Sequence, residues 1–270
     1  EAADETARKR NLALLLDVNA MDDRLQTAVR KLENLQGQDG GWSWYPGMES
    51  NRYTTTEMAK QLARLTALQA PLDEPMKQMY RQALKFLSTQ LQKEYGQIRE
   101  TEKQTGTRPG LSDEAITYLY ICSLDTFAKQ QVKAEVLNYC LETLQEKVRP
   151  VDCSILDKAR IAVILQALGK RQTAMEWLQS VREYSVYTPE MGRYYDTPKA
   201  VYSWCSYRIP TQVAAMEAIR LLAPDEQTLA EMKQWLLKQK QVQSWETPVA
   251  TADALYALLT GNQSLQAGGM

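Results

Sequence analysis

A chain of 270 residues with 32 basic and 33 acidic side chains has a net charge of -1, and it lacks the clustered basic excess that nucleic acid or an anionic lipid surface requires. Histidine is absent, which removes imidazole acid-base chemistry, the usual nucleophilic triads and the commonest zinc ligand; no metal and no cofactor is expected. No run of about 18 apolar residues is present, so no transmembrane segment is predicted, and no charged-then-apolar leader opens the chain.

One large domain of this length can bury about three quarters of its unfolded surface. The sequence starts at Glu1 rather than methionine, which fits a processed protein or a piece of a longer one. Cys122, Cys140, Cys153 and Cys205 form no Cys-x-x-Cys pair and are expected as small core thiols rather than a disulfide scaffold.

Taken in order, Ala3 to Val18 reads as a helix ending near Asn19, and Asp22 or Asp23 is placed to cap a second helix. In that helix Leu25, Ala28, Val29, Leu32 and Leu35 form one apolar stripe. Asp39-Gly40-Gly41 then turns the chain and presents Trp42 and Trp44. Thr54 with Glu57 predicts a capping box for a helix running to about Leu68. After Pro71 and Pro75, Met76, Met79, Tyr80, Ala83, Leu84, Leu87 and Leu91 again lie on one stripe opposite Lys77, Arg81 and Lys85.

Gly96 to Pro109 reads as a polar loop, and Ser112 as the cap of a helix stapled by Leu111 and Ile116. A charged, striped helix is expected over 129–148. Ser154 with Asp157 opens an apolar helix closed by Gly169, and 172–184 returns as a one-faced helix. The aromatic stretch from Ser185 to Pro210 is too long for a structureless connection, so short strands or a cover over one end of the fold is expected. Thr211 is placed to cap the next helix, Pro224 restarts a charged one to Lys240, and Thr247-Pro248 starts the last.

The helices opening at Thr54, Ser112, Ser154, Thr211 and Thr247 are rich in alanine and apolar over a wide arc, whereas those before them are charged with a single stripe. Such alternation predicts inner and outer helices in five hairpins plus a leading helix. An all-α, single-domain α/α toroid spanning 1–270 is the natural arrangement, with an open solenoid as the competitor.

Three blocks resemble the thioester domain of the bacterial alpha-2-macroglobulin-like family, related to complement. They are Gln36-x-x-Asp39-Gly40-Gly41-Trp42-Ser43-Trp44 leading to Tyr53-Thr54-Thr55, Tyr202-x-Trp204-x-x-Tyr207-x-x-Pro210-Thr211-Gln212, and Trp245-Glu246-Thr247-x-x-Ala250-Thr251-Ala252-x-Ala254-Leu255-Tyr256-Ala257-Leu258. The resemblance implies a toroid within a larger multidomain protein of the periplasm or cell surface that inhibits endopeptidases by trapping them. Its partners would be neighbouring domains of the parent chain and proteases. The family's Cys-x-Glu-Gln thioester motif is missing, and Cys140-Leu141-Glu142-Thr143, which comes nearest, lacks the glutamine. The resemblance therefore implies a non-catalytic domain without a thioester. Gln36-x-x-x-Gly40-x-Trp42 is also similar to the joint motif of terpenoid cyclases, whose acid-rich or zinc site has no counterpart here.

Other readings of individual residues stay open at the level of sequence. Trp42, Trp44 and Trp245 suit either a ligand groove or packing between hairpins. Tyr187, Tyr194, Tyr195, Tyr202 and Tyr207 suit an interface or a lid. Asp22-Asp23, Asp39 and Asp225-Glu226 suit capping and turn roles, or, in the alternative reading, the carboxylates of a carbohydrate-active hydrolase or lyase on the same toroid.

Overall fold

A computed structural model describes residues 18–147, 153–197, 208–242 and 247–260. Among the described residues the chain forms eleven helices and one two-stranded sheet, an all-α fold. The predicted helix over 3–18 lies almost wholly outside them.

Helix α1 (Val18–Leu35) runs straight through Asn19, Asp22 and Asp23, so no break occurs there. Both aspartates are solvent-exposed within the helix. Of the expected stripe, Val29 is buried and Leu32 and Leu35 are half-buried, whereas Leu25 is exposed.

Helix α2 (Arg52–Ala67) is capped by Asn51, not Thr54: the Asn51 side chain accepts from the Thr54 amide at 2.9 Å. The threonine run serves the preceding joint instead. Thr55 Oγ1 accepts from the Trp42 amide at 2.7 Å and donates to the Asn51 carbonyl at 2.8 Å. At its other end Gln69 takes a left-handed conformation, with the Ala70 amide on the Leu65 carbonyl and the Gln69 amide on Thr66, a glycine-type stop made without glycine.

Helix α3 (Glu74–Thr105) is capped by Asp73 and ends at Gly106, so the predicted loop over 96–109 is mostly helix. Gly96 and the polar composition suggested a break, but six of the eight residues 97–104 are the good helix formers Gln, Arg, Glu and Lys, and tertiary contacts hold them. Tyr95 meets Tyr139 edge-on at 5.1 Å, and Glu102 accepts from Tyr139 Oη at 2.8 Å and from Arg108 at 2.9 Å.

Helix α4 (Asp113–Leu124) starts at the predicted Ser112 cap, whose hydroxyl accepts the Ala115 amide. The helix expected over 129–148 is split into α5 (Thr126–Gln130), capped by Asp125, and α6 (Ala134–Lys147). The Gln131 carbonyl turns aside to accept the Ser88 hydroxyl at 2.6 Å. Helix α7 (Ile155–Ala167) has the expected Ser154 and Asp157 box, with bonds of 2.6 and 3.1 Å, and the expected left-handed Gly169 after its end.

Helix α8 (Arg171–Arg182) leads into a hairpin of β1 (Ser185–Thr188) and β2 (Gly192–Tyr195), antiparallel with Ser185 opposite Tyr195 and Thr188 opposite Gly192. Helix α9 (Arg208–Leu222) begins three residues before Thr211, which is therefore a buried residue of its first turns and not the cap. Helix α10 (Glu226–Val242) opens with Asp225 accepting the Thr228 amide, and α11 (Pro248–Leu259) with Thr247 accepting the Ala250 amide, proline following the cap as predicted.

Two kinds of helix result. In α4, α7 and α9 buried residues occupy nearly every face; Ile161, Ala162, Ile164, Val213, Ala215 and Ala218 are all at or near zero exposure. The alanines let neighbouring backbones approach on two sides. In α3 and α8 only one stripe is buried. Helix α2 packs on α4, α4 on α7, α7 on α9 and α9 on α11, and α11 packs back on α2. The charged helices α3, α8 and α10 lie against this succession, and β2 packs on α9 and α10.

Candidate functional site: a charged cavity at the helix N-termini

Where those five helices meet, polar side chains interrupt otherwise apolar helices. Arg64 of α2 is buried, 4 % exposed, between two acids that lie far along the chain. Its guanidinium forms a short ion pair with Asp253 of α11, donates to Tyr120 Oη of α4 at 3.1 Å and lies 4.0 Å from Glu217 of α9. Glu217 accepts from Tyr120 Oη and from Tyr256 Oη, each at 2.7 Å. The Tyr256 ring covers the guanidinium at 4.6 Å from its centroid, a cation-π contact that replaces part of the lost hydration. Asp253 also accepts from Gln61 at 2.9 Å.

Burying one of these charges alone would cost several kcal/mol, so the pairing is what permits them to be here. Burial by itself pushes the Asp253 carboxyl upward, but Lys60 and Arg64 outweigh it and hold the group down at about 2. Burial would likewise lower Arg64, and Tyr120, Asp253 and Glu217 together raise it above its ordinary value. Burial first and then Glu217 push the Tyr120 and Tyr256 hydroxyls up against the opposing pull of Arg64, so both stay protonated donors.

Above this network lies a cavity of about 140 Å³. It is walled by first-turn residues of all five helices, so five N-termini share it. Among the described residues its charged lining is made of the carboxylates Glu57, Asp113, Glu114, Asp157 and Asp253 and the cations Lys60 and Arg160. Lys60 is taken up by Glu57 at 2.7 Å and by Asp253 at 3.8 Å. Arg160 donates a long hydrogen bond, 3.4 Å, to the Thr117 hydroxyl. Partial burial and then the nearby Asp157 raise the Asp113 carboxyl, against the opposing pull of Arg160. Thr211 is 1 % exposed in the wall. Tyr53 stands at the lip, 42 % exposed, stacked on Trp44 at 6.1 Å with 18° between the rings.

The residues singled out from sequence fall into three groups. Gln36, Asp39, Gly40, Gly41 and Trp42 build the joint between α1 and α2. Gln36 Nε2 donates to the Gly40 carbonyl at 2.9 Å and to the Met79 carbonyl of α3 at 2.8 Å. Asp39 accepts from the Gly41 amide and the Ser50 hydroxyl, a turn role. Trp42 is buried and donates from its indole to the Leu32 carbonyl at 3.0 Å, so it packs rather than lining a groove. Trp44, by contrast, is 56 % exposed and reaches the cavity lip through Tyr53.

Tyr187 is exposed, but Tyr195 is buried and Tyr194 stacks on Trp235 at 6.0 Å, so the hairpin turns two of its three tyrosines inward. Trp204, Trp245, Tyr202, Tyr207 and Cys205 lie outside the described residues. Asp225 caps a helix, and Asp22 and Asp23 face solvent. Cys122 and Cys140 are buried, and burial pushes each thiol up to about 12; Cys153 is half-buried.

Sequence reasoning passed over Lys60, Arg64, Glu217 and Asp253. A signal was present at Asp253, the single charge of an alanine-rich, apolar helix in Ala250-Thr251-Ala252-Asp253-Ala254-Leu255, whereas Glu217 shares α9 with Arg208 and Arg220, and Lys60 and Arg64 share α2 with Arg52 and Glu57. No protein-family model matches the chain, and no curated protein matches it.

Proposed function

We propose that the chain is an α/α toroid serving as a non-catalytic scaffold domain of a bacterial alpha-2-macroglobulin-like protein, an endopeptidase trap without a thioester. The supporting observation is the packing order in which α11 returns to α2, sealed by Arg64 and Asp253 across 189 positions of sequence. A fold that joins its first and last buried helices through a paired charge is suited to acting as a rigid body between neighbouring domains. The toroid, the periplasmic or cell-surface location, the neighbouring domains and the protease targets all belong to this reading, which rests on the three motif blocks quoted above.

The chemistry at hand agrees with a scaffold. The central cation is held by partners on three other helices, and the thiols of Cys122 and Cys140 are neutral at physiological pH because burial raises them. The test is treatment of the folded chain with methylamine and quantification of released thiol. No release is expected. Stoichiometric release, or turnover of a glycan that vanishes when one cavity carboxylate is changed, would contradict the proposal.

A further inference from the structure

At the other end of the buried helices, away from the charged cavity, lies a second recess of about 530 Å³ that the scaffold reading does not use. It opens where α2 and α4 end and where α3 and α5 begin. Its size falls in the range of small-molecule sites, about 300 to 1,000 Å³. Half-buried Ala70 and Leu72, buried Tyr80, and Phe127, 37 % exposed, give it an apolar wall. Lys77 and Arg81 stand one turn apart on α3 and line the same recess, and their long aliphatic stems extend that wall.

Most of the polar groups here are already spent, and two cations are not. Asp125, which supplies the carboxylate among the described lining residues, accepts from Tyr80 Oη and from the Phe127 amide, each at 2.8 Å. The Thr66 hydroxyl donates to the Leu62 carbonyl at 3.0 Å. Lys77 meets Glu74 at 2.7 Å, but both side chains are well exposed, and such a pair is weak enough to yield to a competitor. Arg81, exposed, acts on Glu74 only through space and makes no hydrogen bond or ion pair among the described residues. The helix ends do not decide the sign, since two C-termini and two N-termini meet at the recess and their partial charges offset. A bare anion would find only exposed charges, and a neutral hydrocarbon would leave the cations unanswered. An aliphatic body ending in one carboxylate uses both the wall and the cations.

We propose that this recess binds a medium-chain fatty acid, its chain laid against Leu72, Tyr80 and Phe127 and its carboxylate held by Arg81 and Lys77. Binding is proposed, without turnover, and it rests on the recess alone rather than on the family reading.

The test is calorimetric titration of the full chain with decanoate, kept below its micelle-forming concentration, and separately with decanol, decyltrimethylammonium, acetate and inorganic phosphate. Arg81→Gln and Phe127→Ala are run beside the parent, and melting curves check that each variant is folded. Decanoate is expected to bind saturably at one site, decanol more weakly, and the other three not measurably. The decanoate Kd should rise about threefold or more in Arg81→Gln, as for loss of a charge-assisted contact, and about fivefold in Phe127→Ala, as for loss of apolar wall. Arg81 is exposed, so its variant keeps the fold and carries the test if Phe127→Ala unfolds. Three results would overturn the proposal: no saturable binding of decanoate, decanoate binding that a folded variant leaves unchanged, or any of the other four compounds bound as tightly as decanoate.

Discussion

Two joints in this molecule solve one problem with the same parts in different order. At the first, Gln36 ties the carbonyl of Gly40 to that of Met79 in α3, and Gly40 sits with φ +87° against the same helix. At the second, Gln212 of α9 ties the carbonyl of Arg193 in β2 to that of Met232 in α10, with bonds of 2.9 and 3.2 Å, and Gly192 sits with φ +81° against α10. In both a left-handed glycine lets a loop or strand touch a helix backbone, and a glutamine amide supplies two donors to carbonyls that need them. They differ in economy: among the described residues Gln212 Oε1 is buried without a hydrogen-bond partner, a penalty Gln36 does not share. They also differ in legibility. Gln36 and Gly40 are four residues apart, whereas the second joint is drawn from positions 192 and 212.

Gly192→Ala should be the most damaging single change. An added Cβ would stand 2.2 Å from the Glu231 carbonyl oxygen in an unfavourable backbone region, and a loss of about 4 kcal/mol is expected by urea unfolding. Gly40→Ala meets the Gln82 carbonyl at 2.5 Å, and a loss of about 3 kcal/mol is expected. Gly47→Ala is the control: its φ is +83° but its surroundings are open, so only about 1 kcal/mol should be lost. If all three cost the same, backbone conformation alone is at work and the close approach to the helix is irrelevant.

Acid distinguishes the glutamine and glycine contacts of the two joints, which are uncharged, from the buried Arg64–Asp253 pair. Asp253 is held at about 2 in the folded chain, below its ordinary 3.8. Its contribution is therefore complete above about pH 4 and is lost as pH falls through about 2, amounting to about 2 kcal/mol. The acid-dependent loss should be equal in the parent and in Gly40→Ala, and smaller by about 2 kcal/mol in Asp253→Asn; a steeper loss in the joint variant would mean that the joint and the Arg64–Asp253 pair are coupled. The smallest effect is a gain. Gln69 occupies a left-handed stop that glycine fills without strain, so Gln69→Gly should raise stability by about 0.5 kcal/mol in the same unfolding assay.

Much of the fold was legible because caps and stripes are local. Ser112, Ser154, Gly169 and Thr247 sit where side-chain chemistry demanded, and the stripe from Met76 to Leu91 is buried as spaced. Local rules failed where tertiary contacts compete. Thr54 looked like a cap until Asn51 took that place, and residues 97–105 read as a loop until Tyr139 and Arg108 held them as helix. The candidate site was least legible. Lys60 and Arg64 look like ordinary surface charges in sequence, and only their meeting with Glu217 and Asp253 from distant helices gives them a role.

The central claim is that the first and last of the five buried helices are joined through Arg64 and Asp253. A double-mutant cycle of Arg64→Met and Asp253→Asn, read by urea unfolding, tests it most directly. A coupling energy of about 2 to 4 kcal/mol is expected for so buried a pair, whereas effects that add to within about 0.5 kcal/mol would mean that the two helices do not meet there.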